Sequence, residues 1–579
     1  MLLSNRRMRK HSISAIASIT FGALLALPLA AWAQAPEIGR AQAVTAEHGM
    51  VVAQEATAAR IGVDILKQGG NAVDAAVATG FAMAVTYPRA GNIGGGGFMV
   101  IHRADGEDVA IDYRETAPGA INDKSFLDAQ GNADPEKSRN SALAIGVPGT
   151  VAGLALAEQK YGSGKFTLAE LIAPAIALAR DGIVIADDTA DALTRDWPRL
   201  ERWPSSAKIF GKADGTSLAE GDKLVQPELA DTLAAIAQDG PSAFYQGPIA
   251  DKIAAAVQQA GGVMTTADLK NYHAIERTPI RGTYRGYGIV SMPPPSSGGI
   301  ALVEMLNILE GYDLANEQRA QALFLMIEAM KRAYADRAWF LGDPDVVKIP
   351  VPRLTSKGYA AEWRATINPE HATAAADIRA GGEVRNEGRN TTHFSVVDRF
   401  GNAVANTYTL NFSFGVGLVA AGTGIVLNNE MDDFAAKADS PNAYGLLGYD
   451  ANAPGPGKRP LSSMTPTIVL KDGKPFLVTG SPGGSLIINT VLQVVTNVID
   501  RGMDIAGAVS APRVHDQWKP DIVFAEPGLA GDIVTALQTR GDTVMVRRLP
   551  TSANSILITP AGFVGAADPR TRGAIAVGY

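Results

Sequence analysis

The stretch Asn390-Thr391-Thr392-His393-Phe394-Ser395-Val396-Val397-Asp398 (390–398) places two threonine hydroxyls at the start of an apolar run. Valine, phenylalanine and threonine favour strands, so residues 394–410 are predicted to be β structure with a hairpin turn at Phe400-Gly401-Asn402. The preceding segment GGEVRNEGRN (381–390) is polar and glycine-rich, which is typical of an irregular loop. A strand that follows a surface loop is therefore the simplest interpretation.

The chemistry of threonine suggests a second interpretation. A threonine hydroxyl is a weak nucleophile unless a base lies beside it. If the chain is cut before Thr391, the new α-amino group supplies that base, because its ordinary pKa of about 7.7–8.0 is close to neutral pH. This interpretation predicts a proenzyme that cuts itself between Asn390 and Thr391 and then uses Thr391 as its nucleophile.

Residues 1–33 have the three parts of a secretory signal peptide. A basic start is followed by an apolar stretch at 13–30 and by Ala31-Trp32-Ala33, which fits an A-x-A cleavage site with Gln34 as the first mature residue. No other long uncharged apolar run occurs in the sequence. The pattern predicts an exported protein of the periplasm, without a membrane anchor after the signal is removed.

Composition narrows the function classes. The 579 residues are 46% hydrophobic and 19% charged, which is ordinary for a globular protein. Removal of 1–33 takes away four basic residues and no acidic one, so the formal net charge changes from −7 to −11. This acidity argues against nucleic acid or an anionic membrane as a partner. The absence of cysteine excludes disulfides, a cysteine nucleophile and thiolate metal ligands.

The hydrophobic pattern predicts an α+β fold. Two helices are predicted in 51–86, divided at Gly69-Gly70, with Asn71 as the N-cap of the second. Further helices are predicted at 168–184, 228–260, 302–341 and 485–501, and strands within 98–113, 278–292, 394–410, 465–479 and 543–565. Because strands and helices occur in clusters, antiparallel sheets flanked by helices are favoured.

Three polar clusters could bind a charged ligand. Arg114 follows a predicted strand and could clamp a carboxylate, or it could pair with Asp112 or Glu115. Glu430-Met431-Asp432-Asp433 could bind an ammonium group or form a solvated acidic turn; a metal is disfavoured because no histidine pair has ligand spacing. Ser462-Ser463 could hydrogen-bond a carboxylate or cap a helix.

Two loops are candidates for catalytic elements. Gly480-Ser481-Pro482-Gly483-Gly484-Ser485 lies between a predicted strand and a predicted helix, where it could form an oxyanion site or only a tight turn. The long irregular segment 438–461 is typical of a lid or a disordered loop. No G-x-S-x-G sequence supports a serine triad, and His393 is interpreted as structural.

Taken together, the motifs resemble the γ-glutamyltranspeptidase family, also called glutathione hydrolases, of the N-terminal nucleophile superfamily. They extend in order over nearly the whole chain beyond the signal sequence. The matching motifs are LKQGGNAVDAAVA (66–78), IGGGGF (93–98), DYRETAP (112–118), AIGVPGTVAGL (144–154), PPPSSGG (293–299), NTTHFSVVD (390–398), NEMDDF (429–434), LSSMTPT (461–467), GSPGG (480–484) and APRVHDQW (511–518).

The resemblance implies roles for the matching residues. Thr391 would drive self-cleavage and serve as the nucleophile, supported by Thr409. The remaining implied roles are an α-carboxylate site of Arg114, Ser462 and Ser463, an α-ammonium site of Asn411, Glu430 and Asp433, an oxyanion hole of Gly483 and Gly484, and a lid residue, Tyr444, hydrogen-bonded to Asn411.

The resemblance also implies a four-layer αββα sandwich of two antiparallel sheets between helices. Self-cleavage would divide it into a large subunit, 34–390, and a small subunit, 391–579, which form one interleaved heterodimer. Thr391 would form a γ-glutamyl ester from glutathione or a related donor and pass the group to water, an amino acid or a peptide. No metal or organic cofactor is implied.

Two other functions remain open on the sequence. Relatives with the same fold remove glutaryl or cephalosporin side chains, which lack the α-ammonium group that Glu430 and Asp433 would bind. A non-catalytic periplasmic peptide-binding protein would fit the size and the export signal. Such a protein would have no reason to be cut at Asn390.

Overall fold

The computed structural model describes residues 39–378 and 391–579, and two seven-stranded sheets dominate this part of the chain. The predicted signal sequence and Asn390 lie outside the described residues. The described residues all belong to one compact unit, Glu37–Tyr579. None of the helices in 39–378 and 391–579 is both long enough and apolar enough to cross a membrane.

The strands of the described residues are numbered in chain order. They are β1 (Ala43–Ala46), β2 (Gly49–Ala53), β3 (Gly96–His102), β4 (Asp108–Tyr113), β5 (Ile183–Val184), β6 (Lys223–Leu224), β7 (Ile275–Arg277), β8 (Ile280–Tyr284), β9 (Tyr287–Ser291), β10 (Thr392–Asp398), β11 (Ala403–Thr409), β12 (Val419–Ala420), β13 (Ile425–Val426), β14 (Thr467–Lys471), β15 (Lys474–Thr479), β16 (Val514–His515), β17 (Val523–Ala525), β18 (Val544–Val546), β19 (Ser555–Thr559), β20 (Gly562–Ala566) and β21 (Ile575–Gly578).

Both large sheets are antiparallel throughout. The first has the order β21-β2-β10-β11-β3-β4-β7, and the second has the order β1-β20-β19-β15-β14-β9-β8. Strands β16, β17 and β18 form a small third sheet, while β5–β6 and β12–β13 form two-stranded pairs. The first sheet carries the segment that begins at Thr391, since β10 lies between β2 and β11.

The helices are also numbered in chain order. They are α1 (Ala56–Lys67), α2 (Ala72–Thr86), α3 (Thr150–Tyr161), α4 (Leu168–Asp181), α5 (Asp187–Leu200), α6 (Pro204–Phe210), α7 (Pro227–Asp239), α8 (Ser242–Tyr245), α9 (Pro248–Gln259), α10 (Thr266–Asn271), α11 (Gly298–Leu309), α12 (Arg319–Phe340), α13 (Val351–Leu354), α14 (Lys357–Arg364), α15 (Ala375–Ile378), α16 (Leu486–Ile499), α17 (Ile505–Ser510) and α18 (Gly531–Thr539). A π-helical turn lies at Glu136–Asn140, and 3-10 turns lie at Ala142–Ala144, Glu430–Asp433 and Asp450–Asn452.

Side-chain alternation along the strands builds four layers. In β10, Phe394 and Val396 pack in one core with α1 and α2, whereas Val397 points the other way and packs against the second sheet. In the second sheet, Ile468 meets that inter-sheet core, while its neighbour Val469 packs with α11 and α16. The predicted αββα sandwich is therefore confirmed.

Local sequence signals predict caps and turns in this chain, but they do not predict every strand and its partner. Asn71 caps α2 in a capping box with Asp74, as predicted. The helical prediction over 51–86 was wrong at its start, where β2 occupies 49–53. The single hairpin predicted over 543–565 was also wrong: β18 pairs with β17, and only β19 and β20 form the hairpin. An apolar alternation indicates a strand, but it does not identify the partner.

Segments on both sides of position 390 contribute strands to the same sheets. In the first sheet, β10 and β11 of the later segment lie between β2 and β3 of the earlier segment. In the second sheet, β14 of the later segment is hydrogen-bonded to β9 of the earlier segment. The subunit boundaries 34–390 and 391–579 stay predictions, and the two segments share one set of cores.

Candidate active site

Thr391 lies immediately before β10, at the end of the first sheet. Thr391 is 6% exposed, and its Oγ1 lies 3.4 Å from the Oγ1 of Thr409, at the end of the neighbouring strand β11. The backbone N–H of Asn411 donates to the same Thr409 oxygen over 2.8 Å. Pairing of β10 with β11 therefore places two hydroxyls side by side at one sheet end.

A small cavity of about 20 Å³ lies beside this hydroxyl pair. Nearly all the residues implied by the resemblance line it. The implied residues that line the cavity are Arg114, Thr391, Thr409, Asn411, Glu430, Asp433, Tyr444, Ser462, Ser463 and Gly484, while Gly483 lines a larger neighbouring cavity.

Arg114 follows β4 and is fully buried. Its guanidinium donates to the carboxylates of Glu430 and Asp433, the latter over 2.5 Å, and its Nε donates to the Pro460 carbonyl over 3.1 Å. The two partners suggested by the sequence make weaker contacts with the Arg114 side chain. A carboxylate oxygen of Glu115 lies 3.8 Å from the guanidinium, and Asp112 accepts from the backbone N–H of Arg114 and not from its guanidinium. The cation and the carboxylates of the predicted amino-acid site thus pair with each other.

Three carboxyl groups surround this one guanidinium. Burial raises the pKa of Glu430, of Asp433 and of Glu115, the last to about 7, while the Arg114 charge opposes the rise. Burial by itself would lower the pKa of Arg114, but the neighbouring carboxylates hold that pKa above its ordinary value. Full ionisation of all three carboxyls would bury excess negative charge, so the site favours an added cation.

The acidic cluster is divided by its own 3-10 turn, Glu430–Asp433. Glu430 and Asp433 point to Arg114, whereas Asp432 accepts from the Ser138 hydroxyl over 2.7 Å and from Arg139 over 3.1 Å. Asp432 also accepts the backbone N–H of Ala443 over 2.9 Å, which anchors the segment 438–461. The cluster therefore supplies two carboxylates to the cavity and one to its cover.

Ser462 and Ser463 enter the cavity next to a second buried cation. Ser462 is fixed by its backbone, which donates to the Pro295 carbonyl and accepts from Ser297. The Ser463 hydroxyl accepts from Arg337 of α12 over 3.2 Å. Burial lowers the pKa of Arg337 to about 10, so the side chain keeps its charge at neutral pH.

The glycine turn lies at the start of α16. Gly483 and Gly484 have φ values of 132° and 57°, a region that favours glycine. A Cβ atom at Gly484 would lie 2.2 Å from the ring of Tyr444, so only glycine fits there. The two interpretations of this segment, a tight turn and an oxyanion site, are compatible, because the start of a helix presents backbone N–H groups.

The segment 438–461 covers the cavity. The Tyr444 hydroxyl donates to the Asn411 backbone oxygen over 2.9 Å and to its side-chain oxygen over 2.5 Å. Asn442 donates to Asp433 over 3.1 Å, and this contact joins the cover to the ion pair. Tyr444 is 5% exposed. This segment is ordered by contacts with the residues that line the cavity.

His393 is held inside the sandwich by neutral partners. Its ring nitrogens lie 2.8 Å from the Thr407 hydroxyl and 3.0 Å from the Ser395 hydroxyl. Burial lowers its pKa to about 3, so the ring is neutral at neutral pH. Within 39–378 and 391–579, no group of three histidine or acidic side chains has a geometry that could hold a metal ion.

Comparison with known proteins agrees with this geometry. The family model described as gamma-glutamyltranspeptidase matches residues 58–578. The chain belongs to the γ-glutamyltranspeptidase family. A glutathione hydrolase proenzyme of Escherichia coli (strain K12) is 53% identical over 540 residues, which are 93% of this chain and 93% of that protein.

Solved structures with the same fold include members of two activities. A cephalosporin acylase from Bacillus halodurans superposes with a TM-score of 0.82 at 28% identity, covering 94% of this chain and 98% of that one. A γ-glutamyltranspeptidase from Helicobacter pylori is 46% identical with a TM-score of 0.55, covering 56% of this chain and 93% of that one. The fold is shared by both, so the site residues must separate the activities.

Sequence reasoning missed three residues of this γ-glutamyltranspeptidase site. The position of Glu115 next to Arg114 could have indicated that it belongs to the site, but the sequence suggested it only as an ion-pair partner of Arg114. Asp432 was grouped with its neighbours, although its side chain supports the cover. Arg337 had no signal, because it lies within a long helix that is rich in charged residues.

Proposed function

We propose that this chain is a self-cleaving γ-glutamyl hydrolase and transferase that acts on glutathione or related γ-glutamyl compounds. Thr391 is its nucleophile, and the γ-glutamyl group occupies the small cavity. The observation that carries the proposal is the lining of that cavity: a hydroxyl pair at one side, and a buried cation with two carboxylates at the other.

Binding is an exchange of ion pairs. The α-carboxylate of the substrate takes the place of Glu430 and Asp433 on Arg114, with Ser462 and Ser463 as further donors. The α-ammonium group then satisfies the two released carboxylates and the Asn411 amide oxygen. Because one cation and one anion enter together, no buried charge is left unpaired, which avoids a cost of about 3–5 kcal/mol.

Self-cleavage begins with the Thr391 hydroxyl. Its oxygen attacks the carbonyl carbon of Asn390, and the peptide nitrogen leaves as the α-amine of Thr391 in an N→O acyl shift. Water then hydrolyses the ester and releases the carboxylate of Asn390. The Thr409 hydroxyl, 3.4 Å from that of Thr391, orients the attacking oxygen.

Turnover uses the amine that cleavage creates. The α-amine of Thr391 accepts the hydroxyl proton while the oxygen attacks the γ-carbonyl of the donor. The N–H groups of Gly483 and Gly484 stabilise the oxyanion, and the leaving amine, Cys-Gly in glutathione, takes the proton. Water then attacks the ester to give glutamate, or an amino acid or dipeptide attacks it to give a new γ-glutamyl compound.

The alternative function, a glutaryl or cephalosporin acylase, is supported by the fold but not by the charged residues that line the small cavity. A glutaryl carboxylate on Arg114 would displace Glu430 and Asp433 without supplying an ammonium group. Both carboxylates, of which Glu430 is buried and Asp433 is 12% exposed, would then lose their main cation. A γ-glutamyl group avoids this loss, so it is the better substrate for this site.

The location and the subunits follow from the same proposal. Residues 1–33 are removed as a signal peptide, and the enzyme works in the periplasm, where exported glutathione is met. Cleavage gives subunits 34–390 and 391–579, which stay together as a heterodimer. The interleaved strands β2, β10, β11 and β3 support this association. No cofactor enters the reaction, since the nucleophile and the base lie on one residue.

The proposal is tested with intact mass, N-terminal sequencing and a γ-glutamyl donor assay. The parent is expected to give two fragments, the smaller beginning Thr-Thr-His-Phe, and to release amine from the donor. Thr391→Ala is expected to stay uncut and inactive, and Thr391→Ser, which keeps a hydroxyl, to be cut and to retain part of the activity. A folded parent that stays uncut would refute the proposal.

A further inference from the structure

The small cavity has less room than its proposed occupant needs while the cover 438–461 lies over it. A cavity of about 20 Å³ has space for about one water molecule. Tyr444 and Leu446 of the cover are among its lining residues. A γ-glutamyl group can therefore enter only if the wall moves, and the irregular cover is the part of the wall best able to move. Contacts that hold the cover in place control access to Thr391.

One such contact comes from the small third sheet. The side chain of Gln517, which lies just after β16, donates from Nε2 to the backbone carbonyl of Tyr444 over 3.1 Å. The same nitrogen donates to the Lys519 carbonyl over 3.3 Å, so both of its protons have acceptors. These two carbonyls fix the orientation of the amide, because a carbonyl oxygen accepts only from the N–H side.

His515 binds the other end of this amide. Its Nε2 lies 3.0 Å from Oε1 of Gln517, and its Nδ1 lies 2.7 Å from Nδ2 of Asn489. The same Asn489 nitrogen donates to the Asp516 carbonyl over 2.8 Å, so it is a donor and Nδ1 of His515 accepts. The ring proton therefore lies on Nε2 and is donated to Gln517. Burial lowers the pKa of His515 to about 4, so the ring keeps this neutral form at neutral pH.

The result is a continuous chain of hydrogen bonds from Asn489 through His515 and Gln517 to Tyr444. Its three side chains are buried, where water competes little for their hydrogen bonds. Asn489 lies near the start of α16, and the ring of Tyr444 rests on Gly484, just before that helix. The chain therefore ties the backbone of Tyr444 to the same helix whose glycine turn holds its ring.

We propose that Gln517 is a positioning residue that latches the cover closed at Tyr444, and that His515 and Asn489 hold Gln517 in its donating orientation. The inference rests on the proposed function, because it concerns access of a γ-glutamyl group to Thr391. Without the Gln517 donor, the Tyr444 carbonyl finds a hydrogen bond only when the cover opens to water. The open form is then populated more often.

The test measures cutting of the cover by chymotrypsin, for which Tyr444 and Tyr449 offer sites, with the fragments identified by mass. When opening is fast, the cutting rate follows the population of the open form. Gln517→Met keeps the length of the side chain and removes the donor, so it is expected to raise this rate roughly two- to tenfold, the effect of one hydrogen bond. His515→Phe is expected to give a similar rise, and the double variant no further rise, because both changes interrupt one chain.

Gln493→Met is the matched control. Gln493 is another buried glutamine, and its amide joins α16 to β16 through the backbone of Val514. The control is expected to lower stability in urea about as much as Gln517→Met, without faster cutting of the cover. An unchanged cutting rate in folded Gln517→Met, or an equal rise in Gln493→Met, overturns the inference.

Glutamate separates this inference from the proposed function. It carries the α-carboxylate and α-ammonium groups that the proposed site binds, so saturating glutamate is expected to slow cutting of the cover in the parent. If glutamate gives no protection and the self-cleaved parent turns over no γ-glutamyl donor, the proposed function is overturned, whereas faster cutting of Gln517→Met still supports the latch. If glutamate protects and the donor is turned over, an unchanged Gln517→Met overturns the latch alone.

Discussion

Arg114 is the residue on which the charges of the site depend. It pairs with Glu430 and Asp433 although they lie 316 and 319 positions away in the chain. Because these groups lie out of water, removing one partner from the ion pairs is costly, whereas replacing it with another group of the same charge is not. Under the proposed function, a substrate that carries both an anion and a cation replaces the internal pairs without leaving a buried charge unpaired, whereas a substrate with only one charge does not.

Asp433→Asn tests this exchange directly. The change keeps the shape and removes the charge, so kcat/KM for a γ-glutamyl donor is expected to fall about a hundredfold, in line with a loss of 2–5 kcal/mol for a buried charged partner. A glutaryl donor, which has no ammonium group, is expected to lose much less. Asp450→Asn, at an exposed position of the cover, is the control. Equal losses for both donors would contradict the assignment of Asp433 to the ammonium group.

Glu115 makes stability depend on pH. Burial raises its pKa from 4.5 to about 7, so the folded chain holds a proton that the unfolded chain releases. The stabilising contribution is complete below about pH 4.5 and is lost as the pH rises to about 7, since folded protein then binds more protons than unfolded protein.

The measurement uses urea unfolding of the uncut Thr391→Ala chain with and without Glu115→Gln. Glutamine does not ionise, so its side chain cannot lose this contribution. The free energy of unfolding of the variant, relative to that of its parent, is therefore expected to rise by about 2–3 kcal/mol between about pH 5 and about pH 8, since one pKa unit corresponds to about 1.4 kcal/mol. Glu220→Gln, at an exposed position, is expected to show no such gain. A pH-independent difference would mean that Glu115 does not titrate in this range.

At the scale of elements, two loops and one helix end enclose the site. The cover 438–461 is tied to the 3-10 turn Glu430–Asp433 through Asp432 and to Asn411 through Tyr444. The ring of Tyr444 in turn rests on Gly484, at the start of α16. The cover and the glycine turn are thus in contact, so we expect a displacement of one to displace the other.

Gly484→Ala is expected to displace Tyr444 and to lower kcat about a hundredfold or more, comparable with the loss of an oxyanion donor. The added Cβ would lie 2.2 Å from the tyrosine ring. Gly457→Ala is the matched control, because Gly457 also has a positive φ, of 68°, but a Cβ there meets nothing within 4 Å. Limited proteolysis within 438–461 reports displacement of the cover. Similar effects of both changes would show that backbone strain alone is responsible.

At the scale of the whole molecule, the two predicted subunits share their sheets. Strands β10 and β11 lie inside the first sheet, hydrogen-bonded on their outer edges to β2 and β3. Separation would expose unpaired strand edges on both pieces and open the inter-sheet core. The proposed cleavage before Thr391 would therefore cut one connection without dividing the fold.

After cleavage the two fragments are expected to co-elute in size-exclusion chromatography at the size of the uncut Thr391→Ala chain. They should separate only in denaturant, because the shared cores hold them together. Residues 391–579 expressed alone are expected to be unfolded by circular dichroism. Fragments that separate in native buffer would contradict the interleaved heterodimer.

The predictability of the site differed between its residues. Motifs around Arg114, Glu430 and Asp433 predicted that these residues belong to one site, and the three line one cavity. They did not reveal that the three pair with each other, or that Asp432 turns away from them. Residue types carry the chemistry, whereas contacts across more than 300 positions depend on the folded path of the chain.

The sequence by itself determined the family, the class of fold and the local caps and turns of this protein. These depend on residue type and short-range spacing, which the chain carries in linear form. Only the tertiary structure decided the partner of β18, the closed ion pairs of Arg114 and the contact of Tyr444 with Gly484. Each is a contact between segments that are separated in the chain, where charges must pair or backbones must fit, and neither requirement is visible in a local pattern.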